Sequence, residues 1–184
     1  MKLLALVAAL LVTIAALPAD AAGVYDRPVY NPDTNSYFVL KRGLGSGRWA
    51  DALSKAPKTF YKGVRGRLAV IPDAKTDKWV YKNLQLSKLG DVSVWMGMRY
   101  WCRHRKLMFS NGDIHPLKAY SSWRRPWYRQ KKTNCPKWWG SRGFMGVTIQ
   151  SKTGKWMAAG MHKGFQNYIV EYPMDKKKEE KKAE

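Results

Sequence analysis

The sequence predicts an α+β domain, and three observations carry that prediction. Two amphipathic helical patterns lie in the first half, and three short strand patterns close the chain. Between them, from Arg99 to Gly143, about 45 residues show no regular period, a length that in a compact domain is usually functional. Helices early and strands late argue for two helices beside small antiparallel sheets, with a long irregular loop region.

The elements follow in order. "VYNPDTNSYFVL", residues 29–40, has turn chemistry at Asn31-Pro32-Asp33 and Asn35 and a β-rich run from Tyr37 to Leu40, so it predicts an opening hairpin. Gly43, Gly45 and Gly47 break that run. In "RWADALSKA" the residues Trp49, Ala52, Leu53 and Ala56 fall at helical spacing, and Pro57 stops the helix. "GRLAVI" (66–71) predicts a short strand. "PDAKTDKWVYKNL" (72–84) opens on Pro72 and Asp73 and places Trp79, Val80 and Leu84 on one helical face. "VSVWMGMRYW" (92–101) is too short and too β-rich for a helix. "FMGVTIQ", "GKWMAAG" and "NYIVEYP" predict three further strands, with a turn at Lys152-Thr153-Gly154. The tail, residues 174–184, carries mixed charge and is expected to be disordered.

Residues 1–21 predict a secretory signal: Lys2, an apolar run from Leu3 to Leu17, then Pro18 and a small-residue cleavage site ending at Ala21. The run is short for a membrane span of about 20 residues, and no other segment is long enough for one. A secreted or extracytoplasmic chain is expected, with a single domain over residues 22–173.

The full chain has 34 Lys and Arg against 13 Asp and Glu, a net charge of +21, and loss of the leader removes one base and one acid. An exported protein this basic is expected to meet polyanions. Twelve of the bases, against the single acid Asp113, lie between Arg99 and Gly143, together with five of the nine tryptophans. "SSWRRPWYRQKKTNCPKWWG" (121–140) is the densest part and has no carboxylate. Arginine offers planar paired donors to carboxylate, sulfate and phosphate, and aromatic rings offer faces to sugars. The candidate ligand-binding residues are Arg99, Arg103, Arg105, Lys106, Arg124, Arg125, Trp127, Tyr128, Arg129, Lys131, Lys132, Lys137 and Trp138. Trp123 and Trp139 are assigned to packing.

Cys102 and Cys135, in an oxidising compartment, are expected to pair with each other. Zinc is a poor alternative, because His104, His115 and His162 follow no ligand spacing. His104 and His115 are expected to be ordinary surface residues. No paired carboxylates, activated nucleophile or metal cluster are evident, so neither an enzyme nor a cofactor is expected.

In motif order the chain resembles the C-type lectin-like domain over about residues 29–173. "VYNPDTNSYFVL" is similar to that family's first hairpin and "WADALSKA" to its first helix; "GRLAVI" resembles its G-G-H-L-A-V-I and "VWMGM" its W-I-G-L strand. "FSNG" and "YSSW" resemble its W-x-D-G and Y-x-x-W, "GKWM" its G-x-W-N-D, and "YIVEYP" its F-I-C-E-Y-P. The resemblance implies two buried disulfides, one at the positions of Tyr61 and Val170 and one at Gly146 and Met161. All four cysteines are missing, which leaves the core to packing by Trp49, Trp79, Trp95 and Trp156. It also implies calcium ligands from a Glu-Pro-Asn or Gln-Pro-Asp loop and from Asn-Asp after the later tryptophan. Here the loop has Arg125-Pro126-Trp127, and Trp156 is followed by Met157, Ala158 and Ala159. Calcium-dependent sugar binding is therefore not expected, and no metal site is assigned.

The expected function is calcium-independent binding of acidic or sulfated glycans, or other polyanions, through the long loop. A cationic protein acting on anionic membranes, as in defence or toxicity, is the first alternative. A matrix component that docks a partner protein is another. Nucleic acid is disfavoured by export and by the lack of a helix-turn-helix, zinc-finger or RNP pattern.

Overall fold

The computed structural model describes residues 23–116, 118–124, 135 and 143–174. Strands β1 (Val29–Asn31) and β2 (Ser36–Arg42) form the opening hairpin, in register Val29↔Phe38 to Asn31↔Ser36. Helix α1 (Trp49–Lys55) follows, and the chain then tightens into a 3-10 turn at Ala56–Lys58. Pro57 stops the α-helix as expected, and it sits as the second residue of the 3-10 turn, where proline is tolerated. Short strands β3 (Phe60–Tyr61), β4 (Val64–Arg65) and β5 (Arg67–Leu68) lead to helix α2 (Ala74–Asn83). Asp73 caps α2 by accepting a hydrogen bond from the Thr76 N–H.

Then come β6 (Ser93–Trp101), β7 (Lys106–Phe109), β8 (Ile114–His115), β9 (Phe144–Gln150), β10 (Trp156–Gly160) and β11 (Asn167–Pro173). The principal sheet runs β1-β2-β11-β6-β7-β8, with β9 also pairing with β6 and β10 with β9. The closing strand β11 lies antiparallel to β2 and parallel to β6, so the two ends of the domain meet in its centre.

Two expectations are corrected here. The stretch from Arg99 to Gly143 is less irregular than its sequence suggests, because β7 and β8 fold back along β6. Leu107 and Phe109 alternate inward on β7, which holds that register. The "GRLAVI" strand is only Arg67–Leu68; Ala69 to Ile71 are buried and attached by single bonds, Ala69 N–H to the Ile169 carbonyl and Gly97 N–H to the Ala69 carbonyl. Met174 is tied to the domain, its N–H donating to the Asn35 carbonyl and its own carbonyl accepting from Asn35 Nδ2. Residues 175–184 lie outside the described residues, as do residues 1–22.

Strand period divides the core into two layers. Phe38, Leu40, Met96, Met98 and Ile169 face α2 and its Val80; Val39, Trp95 and Val170 face α1 and its Trp49 and Ala52. Trp49, Trp95 and Trp156 are fully buried, whereas Trp79 is only partly so. Trp49 and Trp95 spend their indole N–H groups on the carbonyls of Met96 and Gly47. In "YIVEYP" the carboxylate of Glu171 is buried and accepts bonds from Arg67, from Ser36 Oγ and from the Val70 N–H. It pins the closing strand to the segment that leads into α2.

Where the resemblance implies disulfides, packing takes over. Tyr61 sits in an aromatic ladder with Tyr37 and Tyr172, against the layer that holds Val170. At Gly146 there is no room for any side chain, since a Cβ would lie 2.7 Å from the Trp49 ring. Trp49 occupies the space a cystine would need.

Candidate functional site

The two ends of the long loop are joined at its root. Trp101 at the end of β6 pairs with Phe144 at the start of β9, and the Cys102 N–H donates to the Gly143 carbonyl. Cys102 and Cys135 form the expected disulfide, which ties the start of the loop to a point late in it. The turn from Cys102 to Arg105 closes with Arg105 at φ 49°. Of the predicted ligand residues, Arg103, Arg105, Lys106 and Arg124 are exposed, and Arg99 is half-buried. Arg125, Trp127, Tyr128, Arg129, Lys131, Lys132, Lys137 and Trp138 lie outside the described residues. The ion pairs among the described residues, Lys41–Asp26, Arg67–Glu171 and Lys75–Asp33, involve none of the five described bases. Four of these cations face water without a neutralising carboxylate, the arrangement that raises local potential toward anions.

Arg99 differs from its neighbours. Its guanidinium carbon lies 4.5 Å from the ring centre of Trp101, 5.6 Å from Trp49 and 5.9 Å from Phe144. Burial against these rings lowers its pKa from the usual arginine value. A guanidinium nevertheless stays charged near neutrality.

On the α2 side the loop rests on a polar knot that the sequence reading missed. Asp77 of α2 is buried; it accepts from the Trp156 indole N–H at 3.0 Å and from the Tyr120 hydroxyl at 2.7 Å. Burial raises the Asp77 pKa, and these two donors pull against that shift. Tyr120 is pushed up to about 12 by burial and by its bond to Asp77, so the phenol remains the donor. Tyr120 and Trp123 each pack edge-on against Trp156, with ring centres 5.6 Å apart in both cases. The backbone around Trp123 continues the contact, the Trp156 N–H donating to the Ser122 carbonyl and the Arg124 N–H to the Trp156 carbonyl. The loop thus returns to β10 at the residues flanking Trp123. The assignment of Trp123 to packing agrees with this geometry.

His115 also departs from expectation. It is buried rather than on the surface, edge-on to Phe109 and to Trp156, while its neighbour Ile114 is exposed. Burial lowers its pKa below 6.5, against a raising contribution from the Tyr120 backbone. The folded protein therefore binds fewer protons here than the unfolded chain does. Stability from this group is complete above about pH 6.5 and falls as pH drops toward the folded pKa. Asp77, raised, has the opposite sign at lower pH. A urea midpoint should accordingly fall between about pH 7.5 and about pH 5.5, and His115→Gln should flatten that fall. The same slope in the variant would place its origin elsewhere.

The residues at the calcium positions do not fit the ion. Calcium needs six to eight oxygen ligands, whereas Met157, Ala158 and Ala159 on β10 offer no side-chain oxygen. Asp113 is exposed in the β7–β8 turn and is engaged by Asn111 Nδ2 at 2.6 Å. Among the described residues, no three His, Cys, Asp or Glu side chains come together as a metal would require.

With this geometry, the chain superposes on C-type lectin domains. Human lithostathine aligns with a TM-score of 0.59 and 18% identity, covering 88% of this chain and 98% of that one. The lectin CEL-I of Cucumaria echinata aligns at 0.57 and 12% identity, over 80% and 96% of the two chains. The cow C-type carbohydrate-recognition domain of CD23, crystallised with a GlcNAc2Man3 oligosaccharide, aligns at 0.56 and 16%, over 82% and 95%. No protein-family model and no curated protein matches the sequence. The chain has the C-type lectin-like fold. No described helix is long and apolar enough to cross a membrane.

Proposed function

We propose that this protein is an exported, calcium-independent, lectin-like binding protein that takes acidic or sulfated glycans through its long-loop region. The observation that carries the reading is the charge of that region: twelve bases and one acid between Arg99 and Gly143, on a fold whose solved examples include a carbohydrate-recognition domain. The donor set at the calcium positions supports a metal-free mode, since methionine and alanine stand where oxygen ligands would be needed. The protein acts as a binding module, with attraction from exposed arginines and lysines and contact from aromatic rings.

Binding to a sulfated oligosaccharide should weaken by at least roughly tenfold when Arg124, Arg125 and Arg129 are all changed to Glu, and should weaken with added salt. Surface plasmon resonance on an immobilised heparin fragment would measure both. Affinity unchanged by the triple reversal would contradict the assignment of the loop.

A further inference from the structure

Among the described residues the exposed bases of the loop region, Arg103, Arg105, Lys106 and Arg124, are alike in chemistry and setting, and Arg99 is not. It stands on β6 within the sheet, opposite Gly146 of β9 and Met108 of β7. Because Gly146 has no side chain, Trp49 packs against that strand and forms part of the ring wall beside the guanidinium. Trp101 lies against it too, and His104 meets Trp101 edge-on at 5.2 Å. Both the position and the orientation of the cation are therefore fixed by rings and strand register.

Among the described residues no carboxylate reaches Arg99. The rest of the loop cannot supply one, because Asp113 is the sole acid between Arg99 and Gly143 and is held by Asn111. A partly dehydrated cation without a counter-charge is costly, and ring contacts offset only part of that cost. The same dehydration makes an incoming anion bind more strongly there than at an exposed base.

We infer that Arg99 sets the specificity of this surface, taking the carboxylate or sulfate ester of an acidic saccharide through paired N–H donors, while Arg103, Arg105 and Lys106 supply interchangeable attraction. This rests on the acidic-glycan reading of the loop. Lysine keeps the charge but not the planar fork, so Arg99→Lys separates the two roles.

The test uses the full mature protein and three probes: a heparin oligosaccharide, an oligogalacturonate and a neutral chitin oligosaccharide. Arg99→Lys should lower affinity for the acidic probe that binds wild type by roughly 10- to 100-fold, with little change in salt slope. Arg103→Lys and Arg105→Lys should stay within about twofold of wild type. Arg99→Met, which keeps an apolar stem among the rings, should lose binding as well while melting near the wild-type temperature. The two acidic arms show whether sulfate or carboxylate is the preferred group. Wild-type affinity in Arg99→Lys, or an equal loss in Arg103→Lys, would overturn the role of Arg99 alone. Failure of wild type to bind either acidic probe would overturn this inference together with the reading beneath it.

Discussion

Changing both Cys102 and Cys135 to Ser should lower stability by about 3.5 kcal/mol, the chain-entropy value for the 33-residue separation that the disulfide spans. For a domain of this size that is a fall in melting temperature of roughly 10 °C. The effect is large because a cross-link over a separation this long removes much of the loop-closure entropy of the unfolded chain. On the proposed function, affinity for acidic glycans should drop with stability, since the disulfide ties the start of the loop to a point late in it. Thermal melts of the double variant, and of wild type under reductant, measure the first quantity. A variant as stable as wild type would show that the other contacts of the loop already hold it.

Asp77→Ala should cost on the order of 3 kcal/mol, because it leaves a buried donor, the Trp156 indole N–H, and a half-buried one, the Tyr120 hydroxyl, without their acceptor. Asp77→Asn should cost less, since one carbonyl oxygen can still accept from one of the two. The loss should fall on the loop as well as on the core, because Tyr120 and Trp123 are the residues that lay the loop against β10. Urea denaturation of both variants is the direct measurement. Equal, small losses in the two would mean that the Asp77 carboxylate does not hold this knot together.

The regular elements were legible because burial and period agreed in them. β2, β6, β9 and β11 carry runs of apolar residues bounded by glycine or turn residues, and all four appear close to their expected bounds. The disulfide was legible too, because two cysteines in the oxidising compartment that the leader pattern predicts have one internal pairing to make.

The polar knot was not, although part of its signal was present. Asp77 lies three residues before Val80 and seven before Leu84, which places a carboxylate on the apolar face of α2. A charged residue at a core-facing position asks for buried partners, and here they come from Tyr120 and Trp156, far away in sequence. His115 gave less warning. On a two-residue strand the inward position went to histidine and the outward one to isoleucine, opposite to what hydropathy suggests. Register against β7, with His115 opposite Leu107, decided it.

Among the candidate ligand residues, the sequence distinguished bases from acids but not one base from another. Arg99 and Arg103 look equivalent in a count of charge. They separate only when strand pairing sets Arg99 opposite Gly146 and brings Trp49, Trp101 and Phe144 around it. Such a contact joins residues 49, 99 and 144, and no local pattern contains it.

The most direct measurement is binding of the protein to neutral and acidic glycans, with and without EDTA, at two salt concentrations. Retention of acidic glycans alone, weakened by salt and unchanged by EDTA, is the predicted result. Binding of a neutral sugar that EDTA abolishes would contradict it, and would place a calcium site where the sequence offers methionine, alanine and arginine.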